Sequence, residues 1–452
     1  MKRHIHFIGI GGIGVSGVAQ LALRKGEVVS GSDLKESAIT HKLTKMGAQI
    51  FIGHKAENIS AADLVVYSSA ITDINPEITA AKAKGIPVLR RAEFLTELMA
   101  DKQVITITGA HGKTTTSSLA AKLLTMAGFH PTIAVGGVLR EDGDNAKLGD
   151  SSYFVAEADE SDGTFLLFKP MYSIITNIDY EHMDFYKTQD NLLKSFSTFV
   201  RQTKKGGCVF YFKEDPILAS LVKESGVKSR SFGLSKGSDF YAKDVSLAQC
   251  RLRFVCVRKA KGLGEISMEL SGRHNVSNAL AVIALGFEMG IDFKVIQKAL
   301  KDFKGVERRF QIKHENKDIL IVDDYAHHPT EIAATIEAAK VCPRRRLVVV
   351  FQPHRYSRTK LLMDRFPASF AKSDYLVVTD IYPAGEAPVT GASVFDLIEG
   401  IRKKIHVPVN YVPKDQIISH LKNALLPDDL VLFLGAGDIT KISDEFAKGF
   451  KK

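Results

Sequence analysis

The chain is poor in the features that would make it a metal-cluster, secreted or membrane protein. Its four cysteines, Cys208, Cys250, Cys256 and Cys342, form no CxxC pair, and their spacing points to neither a zinc site nor a disulfide framework. No uninterrupted apolar run approaches the ~18 residues that a membrane span requires. The start, MKRHIHFIGIGGIG, is a short apolar stretch broken by glycines, unlike a signal peptide. No RGG-like tract or block of interleaved basic and aromatic residues argues for nucleic acid. Charge of one sign is not concentrated anywhere either. The net +10, from 61 Lys and Arg against 51 Asp and Glu, is spread along the chain and suits anionic substrates while being mostly solvated surface. These absences leave the expectation of a cytoplasmic protein with no membrane insertion and no nucleic-acid partner.

What is present is ordinary globular material: 452 residues, 45% hydrophobic and 25% charged. That length holds about three domains at roughly 150 residues each. Alternating strand and helix patterns run throughout, so the fold class is α/β. The domains divide at about 1–100, 101–310 and 311–452: a Rossmann-like first domain, a central domain of the P-loop ATPase type, and a Rossmann-like last domain.

The strongest single stretch is Gln103 to Gly128, QVITITGAHGKTTTSSLAAKLLTMAG. It reads as strand, glycine turn and helix, with Lys113 and Thr114 where the turn enters the helix. Unpaired backbone N–H groups and the helix dipole make such a junction an anion site. Lys113 adds a full charge, and the Thr114 hydroxyl is a ligand for phosphate-bound Mg²⁺. The loop is a short GxxGKT form, because Ile107 stands where the usual motif has its first glycine. A second strand, Tyr153–Ala156, delivers Glu157, Asp159, Glu160 and Asp162, placed to hold Mg²⁺. A third, Ser173–Thr176, delivers Asn177, Asp179 and His182, and His182 reads as a further metal ligand.

In the first domain, Ile5–Ile8 runs into Gly9-Ile10-Gly11-Gly12-Ile13-Gly14, a GxGxxG turn. A second strand near Val28–Ser30 ends at Asp33, about where a dinucleotide fold places its ribose-binding acid. The glycines only let a diphosphate approach the backbone, so NAD and a UDP-sugar are both open on these residues. Arg90 and Arg91 follow a later strand where a diphosphate or carboxylate could be met. His274–Ala279, HNVSNA, opens a helix in which Asn275 and Asn278 serve equally as caps or as partners for an adenine edge. In the last domain four polar clusters follow successive strands. They are Asp323–Pro329 (DDYAHHP), Gln352–Arg358 (QPHRYSR), the Asp380–Glu386 region and Gly435–Asp438 (GAGD), and α/β folds bind ligands at that sheet edge.

With these stretches in order (HFIGIGGIGVSG, SGSD, RRAEFL, GAHGKTTT, EADESD, TNIDYEHMD, GRHNVSNALA, RRF, DDYAHHPTE, FQPHRYSRT, YPAGE and GAGDI) the chain resembles the Mur ligases nearly end to end. The resemblance implies three domains: one holding a UDP moiety, a central ATPase, and a last domain that binds an amino acid. It implies ATP-dependent joining of L-alanine to the lactyl carboxylate of UDP-N-acetylmuramate through an acyl phosphate. ATP and Mg²⁺ are the implied cofactors, and the implied assembly is a monomer or weak homodimer. By the same resemblance Gly11, Gly12, Gly14, Asp33, His54, Ser69 and Arg91 contact the UDP-sugar. Gly109, His111, Gly112, Lys113, Thr114, Thr115, Asn275, Asn278, Arg309 and Asp324 contact ATP. Thr114 and Glu157 hold Mg²⁺, and His182 a second Mg²⁺. Tyr325, His327, His354, Arg355 and Arg358 line the alanine site, with Arg355 and Arg358 on its carboxylate. The catalytic roles fall to Lys113, His182, His327 and Arg355.

Overall fold

The computed structural model describes residues 2–450 apart from Ser69, Ala70, Asp142 and Glu181. Ser69, assigned above to the UDP-sugar, therefore lies outside the described residues. The chain forms two compact units, Met1–Lys243 with Val255–Gly264 and Ser277–Phe303, and Asp244–Phe254 with Glu265–Val276 and Lys304–Lys452.

The first unit begins with a five-stranded parallel sheet in the spatial order Gln49–Ile52, Val28–Asp33, His4–Ile8, Leu64–Tyr67, Val88–Arg90. Strand order reverses beside His4–Ile8, and the glycine turn leaves that strand at its carboxyl end, the usual ligand edge of an open α/β sheet. The helix Ile13–Arg24 follows at once and buries Val15, Val18, Ala19 and Ala22 on its sheet-facing side. The helix Pro76–Ala83 starts where Asn75 accepts the Glu77 N–H, with Pro76 needing no donor of its own.

The central sheet has ten strands. The loop-bearing strand Gln103–Thr108 lies between Tyr172–Ile175 and Tyr153–Glu157, parallel to both. Register pairs Ile107 with Glu157 and Thr108 with Ile175, so all three strands end at one level. Beyond Tyr153–Glu157 come Thr132–Leu139 and Asp144–Lys147. On the other side come Cys208–Phe212, Ser229–Gly233 and the meander Phe240–Ala248, Arg251–Arg258, Lys261–Met268.

The last sheet runs Gln311–Glu315, Ile319–Asp324, Asp429–Leu434, Arg346–Phe351, Tyr375–Val378, Val409–Tyr411, parallel except for the antiparallel edge strand Gln311–Glu315. Away from its ligand edge, the fully buried Asp429 takes a forked pair of hydrogen bonds from Arg346, Nη2–Oδ2 2.6 Å and Nε–Oδ1 3.0 Å. Removing the carboxylate takes from the guanidinium its charged partner and leaves it the Ala424 carbonyl and its partly exposed edge. Asp429→Ala is expected to destabilise the second unit by about 3 kcal/mol, read as a lower denaturant midpoint. An unchanged midpoint would show that the pair contributes nothing.

One expectation is corrected. Cys250 and Cys342 form a disulfide, with Cα atoms 4.7 Å apart across a sequence separation of 92. Cys250 sits in the hairpin turn between Phe240–Ala248 and Arg251–Arg258, where Gln249 and Cys250 both have positive φ. Cys342 lies just past the helix Pro329–Lys340. Spacing rules see only nearby cysteines, and this pair is made by folding. Cys208 and Cys256 are buried thiols pushed up to about 12 by burial, which keeps them inert.

Candidate active site

The phosphate loop is built around two glycines. At Gly109, φ is +120°, and a Cβ there would stand 2.4 Å from Thr176 Oγ1 and 2.6 Å from the Asn177 carbonyl. Gly112 (φ +84°) is the residue from which the helix Lys113–Met126 starts, and a Cβ on it would meet Asn278 Oδ1 at 2.7 Å. The turn between them is held from the neighbouring strand end. The His111 N–H donates to Asn177 Oδ1 at 2.9 Å, while Thr176 Oγ1 and Asn177 Nδ2 donate to the His111 carbonyl. The His111 ring lies 3.2 Å from Asp179.

Lys113 Nζ is enclosed. It donates to the carbonyls of Gly109 (2.7 Å) and Ala110 (3.2 Å) and to both oxygens of Glu160 (2.9 and 3.0 Å). Burial alone would lower its pKa, but Glu160 and Asp159 outweigh that and hold the ammonium charged. Thr114 Oγ1 donates to Glu157 Oε2 at 3.3 Å, and Glu157 Oε1 accepts from Ser117 Oγ and the Gly136 N–H. Thr114 and Glu157 thus present hard oxygen donors side by side at the loop, as Mg²⁺ requires. Thr115 is half-buried on the next helical position. His182, with φ +57°, turns its Nε2 to within 3.8 Å of Glu160. Glu160 is the residue that sequence reasoning undervalued. Among four nearby carboxylates nothing in the pattern marks the one that folding buries against the lysine.

In the first domain Asp33 Oδ2 accepts the Gly11 N–H at 2.9 Å, so this acid braces the glycine turn. Gly12 bonds back to the Gly9 carbonyl at 3.0 Å. Arg91 lies against Gly14, where a Cβ would be 3.3 Å from Arg91 Nε; burial would raise the Asp159 carboxyl, but Lys113 above all, with a smaller share from Arg91, depresses it. His54 is linked through Nδ1 to Ser32 Oγ and Glu77, each at 3.0 Å.

The second unit gathers its own set. Tyr325 has the guanidinium groups of Arg308 (4.8 Å) and Arg309 (5.2 Å) over its ring. Asp324 accepts from the N–H groups of Phe310 (2.6 Å) and Ala326 (2.7 Å). Burial raises its pKa to about 6 against the pull of Arg309. Asn275 is buried and donates to the Ser271 carbonyl at 2.6 Å. His327 packs edge-on against Tyr325 and His354, and His354 stacks on Tyr382. Burial lowers His327 to about 4 and, reinforced by His327, Arg358 and Arg355, lowers His354 to about 3. Both rings are neutral at pH 7. His327 Nδ1–H donates to the Tyr325 carbonyl at 3.0 Å, which leaves its Nε2 as an acceptor. The Arg358 guanidinium donates to His354 Nδ1 at 3.0 Å. Arg355 holds a positive φ of 67° at the start of the helix Tyr356–Leu361, and its Nη1 lies 3.9 Å from Glu386. Tyr325, His327, His354 and Arg358 are therefore one contiguous cluster.

The chain is similar to known proteins along its whole length. Residues 4–103 match the catalytic-domain model of the Mur ligase family, 107–286 its middle-domain model, and 308–437 the model of its glutamate ligase domain. A UDP-N-acetylmuramate–L-alanine ligase of Geotalea uraniireducens is 46% identical over 448 residues, 99% of this chain and 98% of that one. A crystal structure of the UDP-N-acetylmuramate-alanine ligase of Thermotoga maritima superposes with a TM-score of 0.86 at 31% identity over 99% of both chains. A murein peptide ligase of Psychrobacter arcticus does so with 0.72 at 25% identity, over 100% of this chain and 99% of that one. The chain is a member of the Mur ligase family, with its three-domain α/β architecture.

Proposed function

We propose that this chain joins L-alanine to the lactyl carboxylate of UDP-N-acetylmuramate at the expense of ATP, releasing ADP and phosphate. Residues 1–100 hold the UDP-sugar, 101–310 the ATP and 311–452 the amino acid. The observation that carries this reading is the set Lys113, Thr114 and Glu157 at one strand-end level, and the full-length likeness to L-alanine ligases supports it.

A carboxylate and an amine do not condense in water, so the lactyl carboxylate first attacks the γ-phosphorus of ATP, forming an acyl phosphate and expelling ADP. The alanine nitrogen then attacks the acyl carbon, and the tetrahedral intermediate collapses with loss of phosphate. Both steps accumulate negative charge, so positioning and fixed cations supply most of the catalysis. Lys113 neutralises the β- and γ-phosphates. Thr114 and Glu157 would hold one Mg²⁺ and His182 a second, which would supply further charge neutralisation. Arg355 and Arg358 receive the alanine carboxylate. His327, lowered to about 4, is too weak a base to strip an alkylammonium. Its Nε2 instead orients the neutral amine, and the departing phosphate carries the proton away.

The test is phosphate release from ATP in the presence of UDP-N-acetylmuramate. Release is expected with L-alanine and not with a tripeptide, and Arg358→Ala should raise the KM for alanine far more than that for ATP. Release stimulated only by peptide, or an equal rise in both KM values, would overturn the assignment.

A further inference from the structure

Beneath the glycine turn of the first domain lies a buried polar network that the proposed chemistry leaves unused. Its hub is Glu77, whose side chain is fully buried. Glu77 Oε2 accepts from the Ser32 hydroxyl at 2.6 Å and lies 3.0 Å from His54 Nδ1. Oε1 accepts from Asn58 Nδ2 at 2.6 Å and lies 3.5 Å from His6 Nε2. His6 in turn meets Ser30 Oγ at 2.8 Å, which also meets His4. Burial would raise the Glu77 carboxyl, but the nearby His6 ring and hydrogen bonds from Ser32 and Asn58 hold it down at about 2. It is a carboxylate with no proton to give.

A carboxylate in the first turn of a helix ordinarily serves that helix. Here Asn75 already accepts the Glu77 N–H at 2.9 Å, and both carboxylate oxygens turn to side chains from other segments. An ion buried among hydrogen-bonding partners is no better for stability than an apolar residue of the same volume, so stability alone does not account for it.

The hydrogen count fixes the state of His54. The Ser32 hydroxyl spends its single proton on Glu77, so at Nδ1 His54 faces two acceptors, Ser32 Oγ and Glu77 Oε2. The hydrogen on that nitrogen must belong to His54. Ser32 also belongs to the ligand edge, since its carbonyl accepts the N–H groups of Gly9 and Ile10, the first residues of the glycine turn. His54 keeps 12% of its side chain exposed, whereas Glu77 and His6 keep none.

We propose that Glu77 is a positioning residue for UDP-sugar binding: together with Ser32 it clamps the Nδ1–H of His54, fixing the ring so that Nε2 is the nitrogen presented to the ligand. This rests on the reading of His54 as a UDP-sugar contact. Hydrogen bonds to a charged partner contribute enough that losing this one should weaken binding about tenfold or more.

The experiment is a double-mutant cycle with steady-state kinetics on the full chain. Glu77→Gln is expected to raise the KM for UDP-N-acetylmuramate about tenfold, leaving those for ATP and L-alanine within about twofold. His54→Ala should do the same, and the double variant should be no worse than His54→Ala, because one residue acts through the other. Additive effects, or a rise shared by all three substrates, would make Glu77 merely structural and overturn the proposal. A silent His54→Ala would overturn the underlying reading of His54, which is distinguishable because it does not involve Glu77. The ¹⁵N spectrum of the unmutated protein decides independently of how the variants fold: a His54 ring with a bare Nδ1 would sink the clamp.

Discussion

Lys113→Ala is expected to lower ATP-dependent ligation by about 10²–10³-fold, the usual consequence of removing one fixed group that stabilises transition-state charge. The substitution also does something the phosphate role alone does not suggest. Glu160 is 2% exposed and has both oxygens on Lys113, so the alanine variant strands a buried carboxylate. Breaking such a pair costs about 3–5 kcal/mol, and Lys113→Ala should therefore unfold at a lower denaturant concentration. Adding Glu160→Gln removes the stranded charge and should restore most of the stability with none of the activity. Rates of phosphate release alongside unfolding midpoints for the two variants separate these effects. Near-normal ligation by Lys113→Ala would end the phosphate assignment, and activity returning with stability in the double variant would reduce Lys113 to a structural cation.

Cutting the Cys250–Cys342 bond is expected to have the largest effect on stability. A cross-link stabilises chiefly by restricting the unfolded chain, and for a sequence separation of 92 the loop-entropy relation gives about 4–5 kcal/mol. Cys342→Ser should lower the unfolding midpoint of the second unit by that amount, and a reductant should do the same to the unmutated chain while leaving the variant unmoved. Calorimetry or circular dichroism is the suitable readout, because the chain has no tryptophan. Equal midpoints for the variant and the unreduced chain would show that the bond contributes nothing.

The parts of the molecule that declare themselves in sequence are those where local pattern and final environment coincide. The glycine turns after His4–Ile8 and Gln103–Thr108 and the polar ends of the parallel strands are of this kind. Short strands carry weak sequence signals for physical reasons. Gln49–Ile52 has only four residues, Thr132–Leu139 is interrupted by a glycine pair that reads as a turn, and Gln311–Glu315 is a polar edge strand. The site was legible as a list of residues and not as a set of partnerships. Nothing local says that Asp33 spends an oxygen on Gly11, that Glu160 encloses Lys113, or that Glu77 meets His54, because each pairing joins segments more than twenty residues apart in the chain. The disulfide is the extreme case, since its halves share no spacing signal at all.

The closeness of Gly112 to Asn278 has a consequence for how tightly the loop can pack. Gly112 opens the helix Lys113–Met126, and Asn278 stands beside that opening. A single Cβ at position 112 would stand 2.7 Å from the Asn278 amide oxygen and push the two apart. The spacing between the start of that helix and Asn278 is then gauged by a missing methyl group: the residue that lets the chain turn also sets how closely Asn278 approaches the loop.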